Sequence, residues 1–151
     1  VAGPVGDTGA SWRFTTEYAD TAASVLSAHQ RFNVMYEHST YTTGYRYRGR
    51  SIAHTLDNDA KITSALLSLT DTRDWTYRLA YHHARLNRDN VPAGNRVSAT
   101  AETVNLVEFG LDVPWHRSLF SLSLRMQDDQ PDTPDEKDFL FAAEAGWNYR
   151  W

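Results

Sequence analysis

The chain has 151 residues, with 15 Lys and Arg against 19 Asp and Glu and a formal net charge of −4. That length suits one ordinary domain, and the balance excludes the basic footprint of a nucleic-acid binder. Mean hydropathy is −0.56, and no run of about 18 apolar residues occurs, which excludes a transmembrane helix. A membrane strand is not excluded, because alternating side chains average to a polar score. Cysteine is absent, so disulfides and thiolate metal sites are ruled out. Aromatics make up 13%, mainly Tyr and Trp, the types that sit at membrane interfaces. The chain opens VAGP, without Met or a signal peptide, and reads as a processed protein or a piece of a longer one.

Strand side chains alternate sides, so period-two patterning marks half-buried strands. Ser11 to Ala19 sets Trp12, Phe14, Thr16 and Tyr18 against Arg13, Thr15 and Glu17. Residues 20–58 form a long polar stretch. Ala60 to Thr70 places Ala65, Leu67 and Leu69 on one face, and a tight polar turn follows at 71–74. Trp75 to Arg88 is the cleanest pattern, with Trp75, Tyr77, Leu79 and Tyr81 opposite Thr76, Arg78, Ala80 and His82. Residues 87–99, rich in Asn, Gly and Pro, read as a loop. Glu102 to Val113 sets Val107, Phe109, Leu111 and Val113 against Glu108, Gly110 and Asp112, and a second tight turn is expected at 114–117. Ser118 to Gln127 sets Phe120, Leu122, Leu124 and Met126 against Ser121, Ser123 and Arg125. An acidic loop at 128–138 leads to a terminal strand from Asp138 to Trp151, with Phe139, Phe141, Trp147, Tyr149 and Trp151 on one face.

Short turns at 71–74 and 114–117 alternate with long loops at 20–58, 88–99 and 128–138. That is the layout of an antiparallel transmembrane outer-membrane β-barrel. With the C-terminus at the periplasmic side, both short turns fall there and the three loops are extracellular. The chain then reads as residues 1–151 of a single barrel domain. Trp12, Tyr18, Trp75, Tyr77, Trp147, Tyr149 and Trp151 are the expected membrane-interface aromatics. About six crossing strands are too few to close, since the smallest single-chain barrels have about eight and a bare edge in lipid is costly. Either residues 20–58 hide two strands or, the favoured reading, these are the C-terminal strands of a larger barrel. The terminal aromatic strand also reads as an assembly signal for the barrel assembly machinery, with Trp151 the true end.

Within the long loop, Gly44 to His54 reads GYRYRGRSIAH, followed by Asp57-Asn58-Asp59. Together with Glu17-Tyr18-Ala19-Asp20 and Tyr36-Glu37-His38, this resembles the capsule assembly protein Wzi family of Gram-negative outer membranes. One departure is Ala53, where the family pattern carries Gly, so a tight positive-φ turn is not expected there. The resemblance implies a barrel of about eighteen strands with a helical periplasmic plug, of which this chain is the C-terminal third. It also implies a lectin-like, non-enzymatic protein that attaches capsular or extracellular polysaccharide to the cell surface. Outer-membrane lipid and lipopolysaccharide would be its surroundings.

The expected polysaccharide-binding residues are Tyr41, Tyr45, Arg46, Tyr47, Arg48, Arg50 and His54, because Arg forks grip carboxylates and rings stack on sugar faces. The blander reading, which is favoured and compatible, is a structural lid with those arginines paired to Asp57, Asp59 and wall carboxylates such as Glu108 and Glu144. Arg13, Glu17, Arg78, His82, Glu108, Asp112, Arg125, Glu144 and Arg150 mix both signs on the inner face. That suits salt bridges in a closed barrel better than the ion filter of a diffusion channel or export porin, the alternative function. His82 and His83 point to opposite faces and do not share a metal. His38 and His54 with Asp57 and Asp59 make only a weak oxygen-rich cation motif, and the 128–138 run reads as solvated rather than as a cation bridge to lipopolysaccharide. No GxSxG or ordered Ser/His/Asp set occurs, and neither enzymatic activity nor a cofactor or metal is expected.

Overall fold

The structure is a computed structural model that describes residues 1–24, 26, 28–37, 40–41, 44–47, 50–51, 54–92, 94–131 and 137–149, with backbone alone at 46, 50 and 51. Its described elements are all strands: β1 (Ala2–Pro4), β2 (Ser11–Asp20), β3 (Arg46–Tyr47), β4 (Arg50–Ser51), β5 (Lys61–Thr70), β6 (Thr76–Leu86), β7 (Glu102–Trp115), β8 (Ser118–Gln127) and β9 (Leu140–Tyr149). Seven form one antiparallel sheet in the order β1-β2-β5-β6-β7-β8-β9, while β3 and β4 pair apart from it. Each long strand lies beside its neighbour in sequence, as a meander does. Among the described residues between β2 and β5, only β3 and β4 are strands, at two residues each. The sheet is therefore open, and β1 covers only Ser11 to Arg13 of β2.

The register places like with like across the whole sheet. Phe14, Leu67, Leu79, Phe109, Leu124 and Ala143 form one transverse row. The next row, Thr15, Leu66, Ala80, Glu108, Arg125 and Ala142, lies on the opposite face, followed by Thr16, Ala65, Tyr81, Val107, Met126 and Phe141 back on the first. A one-residue slip in any pair would reverse this sorting, so the alternation itself specifies the register. One face is thus apolar and the other carries Arg13, Glu17, Arg78, His82, Glu108, Asp112, Arg125 and Glu144, as their parity requires. On that second face Arg78 donates to Asp112 at 2.6 Å.

Burial does not follow apolarity. Among the described residues the apolar face has no protein cover: Leu79 at its centre is 51% exposed and Trp147 67%. The buried cluster of Ala60, Leu86 and Val104 lies on the charged face instead, near the long-loop ends of the strands. Leu56 and Val97 from the loops pack down onto it. The long loops therefore fold over the charged side of the sheet, leaving the apolar side bare.

Turn chemistry explains the ends. Asp71 Oδ1 accepts the N–H groups of Arg73 (2.8 Å) and Trp75 (3.0 Å), closing the first tight turn. Consequently β6 begins at Thr76 rather than Trp75. The second turn is shorter than the 114–117 expected, because β7 continues through Pro114 and Trp115 and only His116 and Arg117 connect to β8. Pro114 is tolerated there because the β6 ladder stops at Asp112, so no strand on that side needs its missing N–H. The terminal strand is described to Tyr149, and the expected Arg150 and Trp151 lie outside the described residues.

Candidate functional site

The long loops meet at one end of the sheet, where a guanidinium holds them together. Arg88 lies just past β6 and reaches across the start of β5 to the end of β2. Its Nη1 and Nη2 donate to Asp20 Oδ2 (3.2 Å) and Oδ1 (2.7 Å), and its Nε donates to Asp59 Oδ1 at 2.9 Å. The Arg88, Asp20 and Asp59 side chains are 9%, 2% and 0% exposed. Phe32 adds a ring beneath the cation, 5.0 Å from the guanidinium carbon. Burial pushes the Asp59 carboxyl upward, partly offset by the N–H of Asp89 and by Arg88. Arg88 is itself held charged, because its two carboxylates outweigh the burial penalty.

The Asp57-Asn58-Asp59 turn is a second junction. Asp57 and Asp59 have φ of 64° and 49°, left-handed values that Asp and Asn tolerate better than most residues. This kinked path aims successive side chains at different segments. Asp57 accepts the Arg96 N–H at 2.9 Å, and Asp59 Oδ2 accepts the Asp89 N–H at 2.9 Å. Asn58 Oδ1 accepts the Tyr36 N–H at 3.2 Å while its Nδ2 donates to Glu37 at 3.1 Å. From the opposite loop, Asn95 Nδ2 donates to the carbonyls of Leu56 and Asn58. Three stretches of chain around 32–37, 54–60 and 87–98 are stitched into one block.

That block presents the tyrosines. Tyr41, Tyr45 and Tyr47 are 68%, 61% and 66% exposed. Gly44 donates to the Tyr41 carbonyl at 2.8 Å, and the Tyr45 N–H donates to the Tyr36 carbonyl at 2.9 Å. Tyr36 is in turn fixed by Asn58. Gly44 has φ 53°, and a Cβ there would run into the Tyr36 carbonyl. Gly44→Ala is therefore expected to release this segment at a cost of about 2 kcal/mol or more. Limited proteolysis checks it: faster cleavage near Tyr41 to Tyr47 with the strands still protected.

The other expected site residues fare differently. His54 is half-buried, its Nδ1 accepts the Leu56 N–H at 3.2 Å, and its carbonyl accepts the Asp57 N–H, so it helps to shape the turn. Arg46 pairs with Ser51 and Tyr47 with Arg50 in the small ladder, while the side chains of Arg46 and Arg50 and all of Arg48 lie outside the described residues. His38 and Ala53 lie outside them as well. Asp59, expected to take one of those arginines, is bound by Arg88. Among the described residues no group of three or more potential metal ligands occurs. In the 128–138 loop the two oxygens of Asp128 accept the N–H (2.6 Å) and Nδ2 (2.7 Å) of Asn105.

On the charged face the register assembles a chain that sequence reading did not find. Ser64 Oγ and His82 Nδ1 lie 2.8 Å apart, His82 Nε2 lies 3.7 Å from Glu108, and Arg125 Nε donates to Glu108 at 2.7 Å. His82 and Glu108 also line a cavity of about 350 Å³ formed mainly by Ile62, Ala84, Leu86, Val104, Leu106 and Leu56. Ser64 lies mid-strand between two paired neighbours, β2 and β6, so the adjacent backbone N–H groups are spent in ladders and none is left to polarise a carbonyl. The set is a wall network rather than a nucleophilic triad.

Of the expected interface aromatics, Trp12, Trp75, Tyr77, Trp147 and Tyr149 gather toward the short-turn end, and Tyr18 stands at the loop end, where Lys61 Nζ lies 5.3 Å from its ring centroid. Trp115 and Phe120 join the first group.

Fold and site together define an all-β protein: an antiparallel sheet with one bare apolar face and one charged face, capped by interlocked loops that expose tyrosines. The chain belongs to the capsule assembly protein Wzi family, whose profile matches residues 6–142. Comparison with curated proteins and with solved structures gives no match. Family membership places the chain in capsule assembly.

Proposed function

We propose that this protein is part of an outer-membrane β-barrel that attaches capsular or extracellular polysaccharide to the cell surface without catalysing a reaction. The observation that carries this reading is the exposed trio Tyr41, Tyr45 and Tyr47 on a loop block braced by buried charge. Rings on a rigid platform bind sugar faces with little ordering cost. The neighbouring arginines 46, 48 and 50 add forks for acidic sugars, and the long loops bearing both are the extracellular ones. A strain lacking the protein is expected to make normal amounts of polysaccharide and to release it into the medium. Normal retention on such cells would sink the proposal.

The bare apolar face supports the membrane assignment. An apolar surface spanning six long strands has no counterpart on ordinary water-soluble monomers, and lipid covers it at no cost. Leu79→Arg at the middle of that face is expected to cost about 2–4 kcal/mol in a bilayer. Unfolding titrations in vesicles measure it. A near-neutral effect would mean that the face lies in water.

A diffusion channel or export porin is the second reading, favoured by the charges along the other face. The loops packed over that face through Leu56 and Val97 argue against a wide opening. Planar-bilayer recordings separate the two, with conductance supporting the channel.

A further inference from the structure

At the short-turn end of the apolar face, an open cleft of about 500 Å³ is lined by Trp115, His116, Arg117, Ser118, Trp147 and Tyr149. The ladders of β7, β8 and β9 assemble it, placing Trp115, Ser118 and Tyr149 in one row and Val113, Phe120 and Trp147 in the next row on the same face. Phe120 lies between the two tryptophans, with ring centroids 5.9 Å from Trp115 and 5.7 Å from Trp147, the latter pair stacked at 5°. The rim is cationic. Among the described residues, Arg117 is exposed and has no ion pair or hydrogen bond, and no carboxylate lines the cleft. The other short turn differs: Arg73 there sits between Asp71 and Asp74, so it offers no net positive charge. Below the rim, Phe120 and Leu122 continue the face as exposed apolar surface.

We propose that this cleft binds a membrane phospholipid, with Arg117 on the headgroup phosphate. The rings of Trp115, Trp147 and Tyr149 then lie at glycerol depth, and the acyl chains run down past Phe120 and Leu122. An Arg fork matches a phosphate in geometry and charge, and Trp and Tyr favour the boundary between headgroup and hydrocarbon. A free phosphate would leave the rings unused, and an uncharged lipid would leave the guanidinium unused. The proposal rests on the barrel reading given above.

The test uses the whole barrel to which this chain belongs, in a maltoside detergent, titrated separately with phosphatidylglycerol, dioleoylglycerol and inorganic phosphate while the melting temperature is followed. Phosphatidylglycerol is expected to raise it saturably and the other two are not. Arg117→Ala, a change in an exposed turn, is expected to weaken the phosphatidylglycerol response about tenfold or more, and Arg117→Lys to restore part of it. An equal response to dioleoylglycerol or to phosphate alone, no response at all, or an unchanged titration in Arg117→Ala would each overturn the site. A protein that stays in solution without detergent would instead defeat the barrel reading itself.

Discussion

Replacing Arg88 with Ala is expected to destabilise the loop block by about 3–5 kcal/mol, because it leaves buried carboxylates with no compensating charge. Asp59 is fully buried and Asp20 nearly so. The loss reaches beyond one contact, since Asp59 also takes the Asp89 N–H, and Asn58 ties down Tyr36 through its side chain and Asn95 through its carbonyl. The segments around 32–37 and 87–98 should become protease-sensitive while β5 to β8 stay paired.

The variant should also acquire a pH dependence of definite sign. Burial already pushes the Asp59 carboxyl upward, and Arg88 pulls it back. Without Arg88 its folded pKa lies further above the unfolded value of about 4. A group raised in this way contributes stability that is present below the unfolded value and is lost as pH rises through the folded one. The deficit should therefore shrink on moving from about pH 7.5 toward pH 5, as the stranded carboxyl takes up a proton. Thermal unfolding of both proteins at the two pH values measures it. A deficit independent of pH would assign the cost to lost packing on Phe32 instead.

The triple replacement of Tyr41, Tyr45 and Tyr47 by Ala is the second large effect. All three rings are exposed, so folding should be nearly unchanged. At about 1 kcal/mol per ring-face contact, losing three weakens polysaccharide affinity by about two orders of magnitude. Cells carrying the variant should show normal barrel migration on unheated gels and increased polysaccharide in the medium. Retained attachment would move the binding surface elsewhere, with arginines 46, 48 and 50 the next to replace. Misfolding would make the tyrosines structural.

Much of the architecture is legible from local pattern. Ser118 to Gln127 alternates so regularly that its observed bounds match the reading residue for residue. The parity of Phe14, Leu79 and Phe109 against Arg13, Arg78 and Glu108 holds across the ladders. The short strand β1 was not legible, since three residues carry no period. Its place follows from pairing with β2.

Amino-acid order by itself determined the six long strands to within a few residues, which face their side chains take and roughly where the two tight turns fall. Those properties depend on backbone geometry over two to ten residues, and period two or an Asp-led turn expresses them directly. The tertiary structure alone decided which charges meet. Arg88 finds Asp20 across 68 positions and Asp59 across 29, whereas proximity in sequence suggested arginines 46, 48 and 50. Ser64, His82 and Glu108 likewise come together only when three strands adopt one register. A guanidinium is indifferent to which carboxylate it meets, so the choice is made by the ladder that carries both to the same buried place.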